Sequence, residues 1–118
     1  MWSYSQSTGE LLHDGTFQGT GYSGRDTGRN NPQAQGEQGV GPVPRGRYEI
    51  GDATSDAHLG PCIMPLRPLP DTDTLGRSGF FIHGDNARHD ASHGCIILGP
   101  AIRHLIAGSA DRDLTVSI

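Results

Sequence analysis

The chain has 118 residues, one domain's worth, and a formal net charge of −4 with no long basic or acidic run, so nothing marks a nucleic-acid or membrane-surface protein. Hydrophobic residues make up 33% and glycine numbers 18, a balance that argues against disorder and for short strands joined by turns. No stretch approaches bilayer-spanning length, and Met1-Trp2-Ser3-Tyr4-Ser5 lacks the basic and apolar regions of a Sec signal.

In chain order, Trp2 and Tyr4 alternate with polar residues as a first strand. Ser7-Thr8-Gly9 reads as a turn and Glu10 to His13 as a strand. Asp14-Gly15 is a hairpin signal, with Thr16 to Tyr22 as the returning strand. Residues 23 to 39 are rich in Gly, Asn, Gln and Arg and read as a long surface loop. Val40 to Gly46 is a rigid, Pro-containing entry into a strand from Arg47 to Ile50. Between Asp52 and Asp73, Pro61, Pro65, Pro68 and Pro70 exclude a central strand or a long helix. Phe80-Phe81-Ile82 and Cys95-Ile96-Ile97-Leu98 are short apolar runs, expected as buried strands. Pro100 opens one short helix with Ile102, Leu105 and Ile106 on one face and Gly108 at its end. Leu114, Val116 and Ile118 alternate as a last strand. Trp2, Phe17, Phe80 and Phe81 are expected in the core. The sum is a mostly-β domain with one short α-helix.

Chemistry concentrates between Phe80 and Ile97. His83, His89, His93 and Cys95 fall within thirteen positions, in a polar, Gly-containing loop between two apolar runs. If those strands are neighbours, His83 and Cys95 meet above the sheet. A cysteine nucleophile needs a base or cation that favours thiolate and donors for the oxyanion. His83 or His93 supplies the first, and backbone N–H groups around Gly94 and Cys95 the second. The Gly84 carbonyl or the Asp85 carboxylate is in reach to hold the other nitrogen of His83. Plainer readings stand beside these. Cys95 as a buried thiol or a disulfide with Cys62 is one, and Asp85 in turn chemistry is another. Cys62 itself reads as packing. A zinc site from His83, Asp85, His89, His93 and Cys95 matches no common spacing. The remaining histidines, His13, His58, His89 and His104, read as solvated or satisfied surface groups.

His83-Gly84 followed by Ser92-His93-Gly94-Cys95 resembles the signature of L,D-transpeptidase (YkuD-type) domains. Gly21-Tyr22-Ser23-Gly24, Asn30-Asn31-Pro32, Gly41-Pro42-x-Pro44-x-Gly46-x-Tyr48 and Phe81-Ile82-His83-Gly84-Asp85 extend the likeness across nearly the whole chain. They resemble the short L,D-transpeptidase-like antibacterial effectors of type VI secretion systems. The resemblance implies a YkuD-like β-sandwich and a single catalytic domain over residues 1–118. It implies Cys95 as acylated nucleophile, His83 as general base, and Ser92, His93 and Gly94 shaping the oxyanion site. The substrate would be the tetrapeptide stem of peptidoglycan, cleaved or exchanged through a thioester without cofactor or metal.

Tyr22, Ser23, Asp85 and Ile97 are expected at the substrate. Ile97 departs from the family, which carries Arg or Asn there, so recognition of a substrate carboxylate must come from elsewhere, with Arg25, Arg29, Arg77 and Arg88 as candidates. The short loop from His83 to Ser92 favours cleavage or exchange over cross-linking. Water, a D-amino acid and a second stem stay open as acceptors. A cognate immunity protein, a secretion apparatus and action in a target bacterium's periplasm follow only from the resemblance. An inactive peptidoglycan-binding module and a zinc-dependent hydrolase are the alternatives.

Overall fold

A computed structural model describes residues 1–118. Strand β1 (Trp2–Ser5) buries Trp2 and Tyr4 and leaves Ser3 and Ser5 half-buried, the two-residue period of a strand packed on one face. Strands β2 (Glu10–His13) and β3 (Thr16–Thr20) form the expected hairpin. Asp14 and Gly15 turn it with φ of 48° and 83°, the left-handed pair that Asp-Gly supplies readily. The returning strand does not run unbroken to Tyr22. It bends at Gly21 and resumes as β4 (Tyr22–Ser23).

Six further strands follow: β5 (Gly46–Ile50), β6 (Thr54–Asp56), β7 (Gly60–Pro68), β8 (Phe81–His83), β9 (Ile96–Ile97) and β10 (Asp113–Ser117). Their lateral order is β3-β2-β1-β10-β5-β7-β8-β9-β4, with β6 on β7. The two ends of that order are successive pieces of one strand, so the sheet closes on itself. The seam admits only glycine: a Cβ on Gly21 would lie 1.8 Å from the Ile97 carbonyl oxygen. The enclosed core joins Trp2, Tyr4, Tyr48, Met64, Ile82, Ile96 and their neighbours.

The stretch expected to exclude a central strand contains the longest one. β7 lies between β5 and β8, pairing Ile50 with Leu66 and Met64 with Ile82. The missing N–H groups of its prolines are accommodated individually. Pro68 faces Tyr48, next to the Leu69 N–H that bonds the Arg47 carbonyl at 2.9 Å. Its own amide position therefore points away from β5 in the alternating ladder. Pro65 does fall at a bonded position: its carbonyl accepts from Gly51 N at 2.8 Å. The Gly51 carbonyl that it cannot serve accepts from Arg112 Nη2 at 2.6 Å instead. Gly51 also has no Cβ, which would stand 2.5 Å from the Pro65 ring.

Helix α1 (Pro100–Ala107) begins at Pro100 and is closed by the Gly108 N–H, as expected, although Gly108 is right-handed with φ −84°. Its inner face differs from the expectation. Leu105 is 52% exposed, and Arg103 and Ile106 are buried, with Ile102 and Ala107 against the core. Arg103 can be buried because Nε donates to the Leu98 carbonyl at 3.0 Å and Nη1 to the Pro61 carbonyl at 2.7 Å. Phe17, expected in the core, is 56% exposed on β3. Residues 23 to 39 are more ordered than a surface loop. They form 3-10 turns at Asp26–Gly28 and Pro32–Ala34 and bury Gly24, Gly28 and Ala34.

Candidate active site

β8 and β9 are parallel neighbours, with Ile82 beside Ile96 and His83 beside Ile97. Ile97 therefore shares the face that His83 takes, and Cys95 lies one residue before β9. The loop between the strands is stapled by two serines. Ser92 Oγ accepts from Gly24 N at 2.8 Å and from Gly94 N at 3.2 Å, and donates to the Cys95 carbonyl at 2.6 Å. Ser23 Oγ donates to the same carbonyl at 2.8 Å and accepts from Val43 N at 2.8 Å. Both serines are fully buried. They hold the backbone on either side of the thiol, and Ser23 thus reaches the loop through its carbonyls. The Gly94 N–H, expected among the oxyanion donors, is committed to Ser92.

Cys95 is half-buried at a cleft of about 230 Å³, walled also by Arg77, Gly79, Phe80, His93 and Gly94. Its Sγ lies 3.9 Å from the Gly79 carbonyl and makes no hydrogen bond to His83. Burial pushes the thiol up from its ordinary value, while the Phe81 amide and the Arg77 charge act the other way. Cys62 and Cys95 are both free thiols.

Arg77 takes a role that the sequence does not signal, since motif and spacing offer it only to a substrate carboxylate. Its guanidinium is buried and already engaged. Nη1 donates to the carbonyls of Gln35 (2.5 Å) and Pro42 (2.8 Å), and Nη2 to those of Gly41 (3.0 Å) and His93 (3.2 Å). No carboxylate pairs with it. Gly94, at φ +132°, makes this approach possible, since a Cβ there would stand 2.4 Å from Arg77 Nη2. The only signal in the sequence is an arginine three residues before the Phe80 run.

His83 is buried, and its Nδ1 lies 2.8 Å from the Gly84 carbonyl. A carbonyl only accepts, so Nδ1 carries the proton and Nε2 keeps its lone pair. Of the two holders expected for this ring, Gly84 is the one in place. Desolvation, then the Arg103 and His93 charges, lower its pKa; the Gly84 bond and Asp85 oppose this. His93 is exposed, and its Nε2 stands 3.2 Å from Arg25 Nη1. Arginine only donates, so that lone pair is occupied. His93 borders both the Cys95 cleft and the adjoining cleft that contains His83 and Asp85.

Asp85 does not touch His83. It accepts from the Tyr22 hydroxyl at 2.6 Å, from His89 Nδ1 at 2.7 Å and from Asn86 N at 2.9 Å. Burial and the Asp85 hydrogen bond push the Tyr22 phenol up to about 12. Ile97 is buried and edges a third cleft with Tyr22 and Asp85. The five groups weighed as a zinc site are not drawn together as ligands. The one grouping of ligand-type atoms within 4.8 Å is His13, Asp14 and Asp111, at the other end of the sheet. His13 also stacks on Trp2 with centroids 4.0 Å apart.

A closed, mostly-β sandwich with one helix, carrying a cysteine loop between parallel strands, is the L,D-transpeptidase architecture. The fold is similar to that of Ldtfm, an L,D-transpeptidase solved as its avibactam carbamoyl enzyme, with a TM-score of 0.59 at 16% identity. The match covers 99% of this chain but only 48% of that one, so the chain spans about half the length of the neighbour. No functionally curated protein matches the sequence. Residues 18–115 match the model of the Tlde1 domain, and the chain belongs to that family of transpeptidase-like type VI effectors. No helix is long and apolar enough to cross a membrane.

Proposed function

We propose that residues 1–118 act as one catalytic domain that cleaves or exchanges the terminal D-amino acid of peptidoglycan tetrapeptide stems through a thioester on Cys95. The observation that carries the reading is a half-buried thiol in the Arg77 cleft, one residue before β9, with a histidine whose Nε2 is unoccupied at the end of the neighbouring strand β8. His83 Nε2 takes the thiol proton as sulfur attacks the carbonyl of the third stem residue. That proton passes to the departing amine, and the C–N bond breaks as the C–S bond forms. His83 then removes a proton from the acceptor, which attacks the thioester and frees the thiol. The lowered pKa of His83 keeps it neutral, hence a base, at neutral pH. His93 is the weaker candidate for base, since Arg25 occupies its Nε2. The absence of a Cys95–His83 bond is compatible with this, because such contacts commonly tighten only with substrate.

Ser92, Ser23 and Gly94 fix the loop, and Tyr22 and Asp85 border the substrate path. No metal or cofactor enters the scheme. Membership of the Tlde1 family supports delivery by a secretion apparatus to a competitor's periplasm, with a cognate immunity protein in the producer. The test is incubation of native protein and Cys95→Ala with tetrapeptide-stem muropeptides, read by mass spectrometry under reducing conditions. Loss or replacement of the terminal D-alanine by the native protein alone is the expected result. No change with either protein would defeat the enzymatic reading and leave a binding module.

A further inference from the structure

Gln6 lies one residue past β1 and continues its ladder, with its N–H donating to the Ser117 carbonyl at 2.8 Å. The period that turns Trp2 and Tyr4 inward turns Gln6 inward as well, and its side chain is 0% exposed. The neighbours fix which way its amide points. Gln35 Oε1 accepts from Arg45 N at 3.0 Å, and a backbone N–H only donates. The Gln6 atom 3.0 Å from that oxygen is therefore Nε2, which also donates to the Val43 carbonyl at 2.8 Å. Gln6 Oε1 is left buried with no partner.

A buried acceptor without a donor costs stability, and an apolar side chain of similar length would avoid that cost. What such a side chain would not supply is two N–H donors. Both lead to the thiol loop. On one arm, Gln35 also offers its carbonyl to Arg77 Nη1 at 2.5 Å, and Arg77 Nη2 in turn holds the His93 carbonyl at 3.2 Å. On the other arm, the Val43 N–H donates to Ser23 Oγ at 2.8 Å, and Ser23 Oγ donates to the Cys95 carbonyl at 2.8 Å. The peptide between Pro42 and Val43 ties the arms together, since the Pro42 carbonyl accepts from Arg77 Nη1 at 2.8 Å.

We propose that Gln6 is a positioning residue for Cys95: its two N–H bonds lock Gln35 and Val43, and through them the Arg77 guanidinium and the Ser23 hydroxyl that frame the thiol loop. The proposal rests on Cys95 as the reacting group and not on which substrate it attacks. It places one support of the nucleophile at the opposite end of the chain, outside the Cys-His motif.

The experiment measures the pH profile of iodoacetamide alkylation in native protein and in Gln6→Met, with urea unfolding alongside. Labelling is read at Cys95 by peptide mass spectrometry, because Cys62 is also a free thiol. Methionine keeps the length of the side chain and removes both donors. The profile is expected to move to higher pH, because a loosened Arg77 no longer opposes the burial that raises the thiol. On tetrapeptide muropeptides kcat is expected to fall with KM kept, by as much as about 100-fold for an ångström of misplacement. Gln35→Ala, at a half-buried side chain, cuts the first arm alone and is expected to move the profile partway. It also decides the matter if Gln6→Met does not fold. A native profile in the folded variants, with only the urea midpoint lowered, would make Gln6 a packing residue and overturn the proposal. If native protein alkylates but turns over no muropeptide, the stem-peptide reading fails, and the alkylation profiles still decide the role of Gln6.

Discussion

Arg77 carries the one charge that acts on the Cys95 thiol, beside burial and the Phe81 amide. A guanidinium taken out of water without a carboxylate is costly unless its N–H groups are all served. Four backbone carbonyls from two loops serve this one. What they do not supply is a negative charge, and Cys95 is the group in the cleft that can become one. Arg77 acts against the burial that raises the thiol, so removing it raises the thiol further. Arg77→Met is therefore expected to slow iodoacetamide alkylation of Cys95 at neutral pH. The pH profile of alkylation checks this. An unmoved profile in a variant with native circular dichroism would show that the charge is irrelevant to the thiol. The Cys-His motif makes Cys95, His83 and the Ser92–Gly94 loop legible in the sequence alone. The tautomers are not legible there, because they depend on which neighbour only accepts and which only donates.

Among the elements, β7 and the β3–β4 strand show where local rules stop. Proline's lack of an N–H is a local fact, but whether a ladder needs that N–H depends on the partner strand. At Pro65 the partner's carbonyl finds Arg112, which is distant in sequence, so no local reading could place a strand there. The hairpin at Asp14-Gly15 and the helix start at Pro100 are readable because each is a property of two or three adjacent residues. Leu105 and Phe17 depart from expectation because an apolar residue marks burial only on average. Gly21 is the element-scale test. Its Cβ would overlap the Ile97 carbonyl and the Leu98 side chain, and backbone cannot yield as a side chain can. Gly21→Ala is expected to cost about 3 kcal/mol or more, read as a lower urea midpoint. A midpoint within error of native would mean that the seam is loose.

At the scale of the molecule, the buried histidine links acidity to folding. His83 is held below its ordinary value of 6.5, chiefly by desolvation. As pH falls below 6.5 the unfolded chain takes up a proton that the folded one refuses, so stability is lost until the lower folded value is reached. Above 6.5 this loss is absent. The depressed carboxylates act lower: Asp111, hydrogen-bonded to the chain's amino terminus, is lowered to about 2, and its contribution is lost as pH falls from 3.8 toward that value. Urea unfolding between pH 8 and pH 5 is expected to show a stability decline of at most about 1.4 kcal/mol per pH unit from this one group. His83→Gln is expected to flatten that decline. An identical slope in the variant would assign it to other groups.

Closure of the sheet also carries an entropic cost. β9 is two residues long and is held laterally only by β8 and β4. β4 is contributed by the opposite end of the chain, so its pairing closes a very long loop, and the entropy of that closure is met before any bond at the seam is gained. Local turns such as the Asp14-Gly15 hairpin form without it. A chain in which β4 and β9 are unpaired also lacks the Ser23 bond to the Cys95 carbonyl, so the thiol loop is fixed only when the seam is closed.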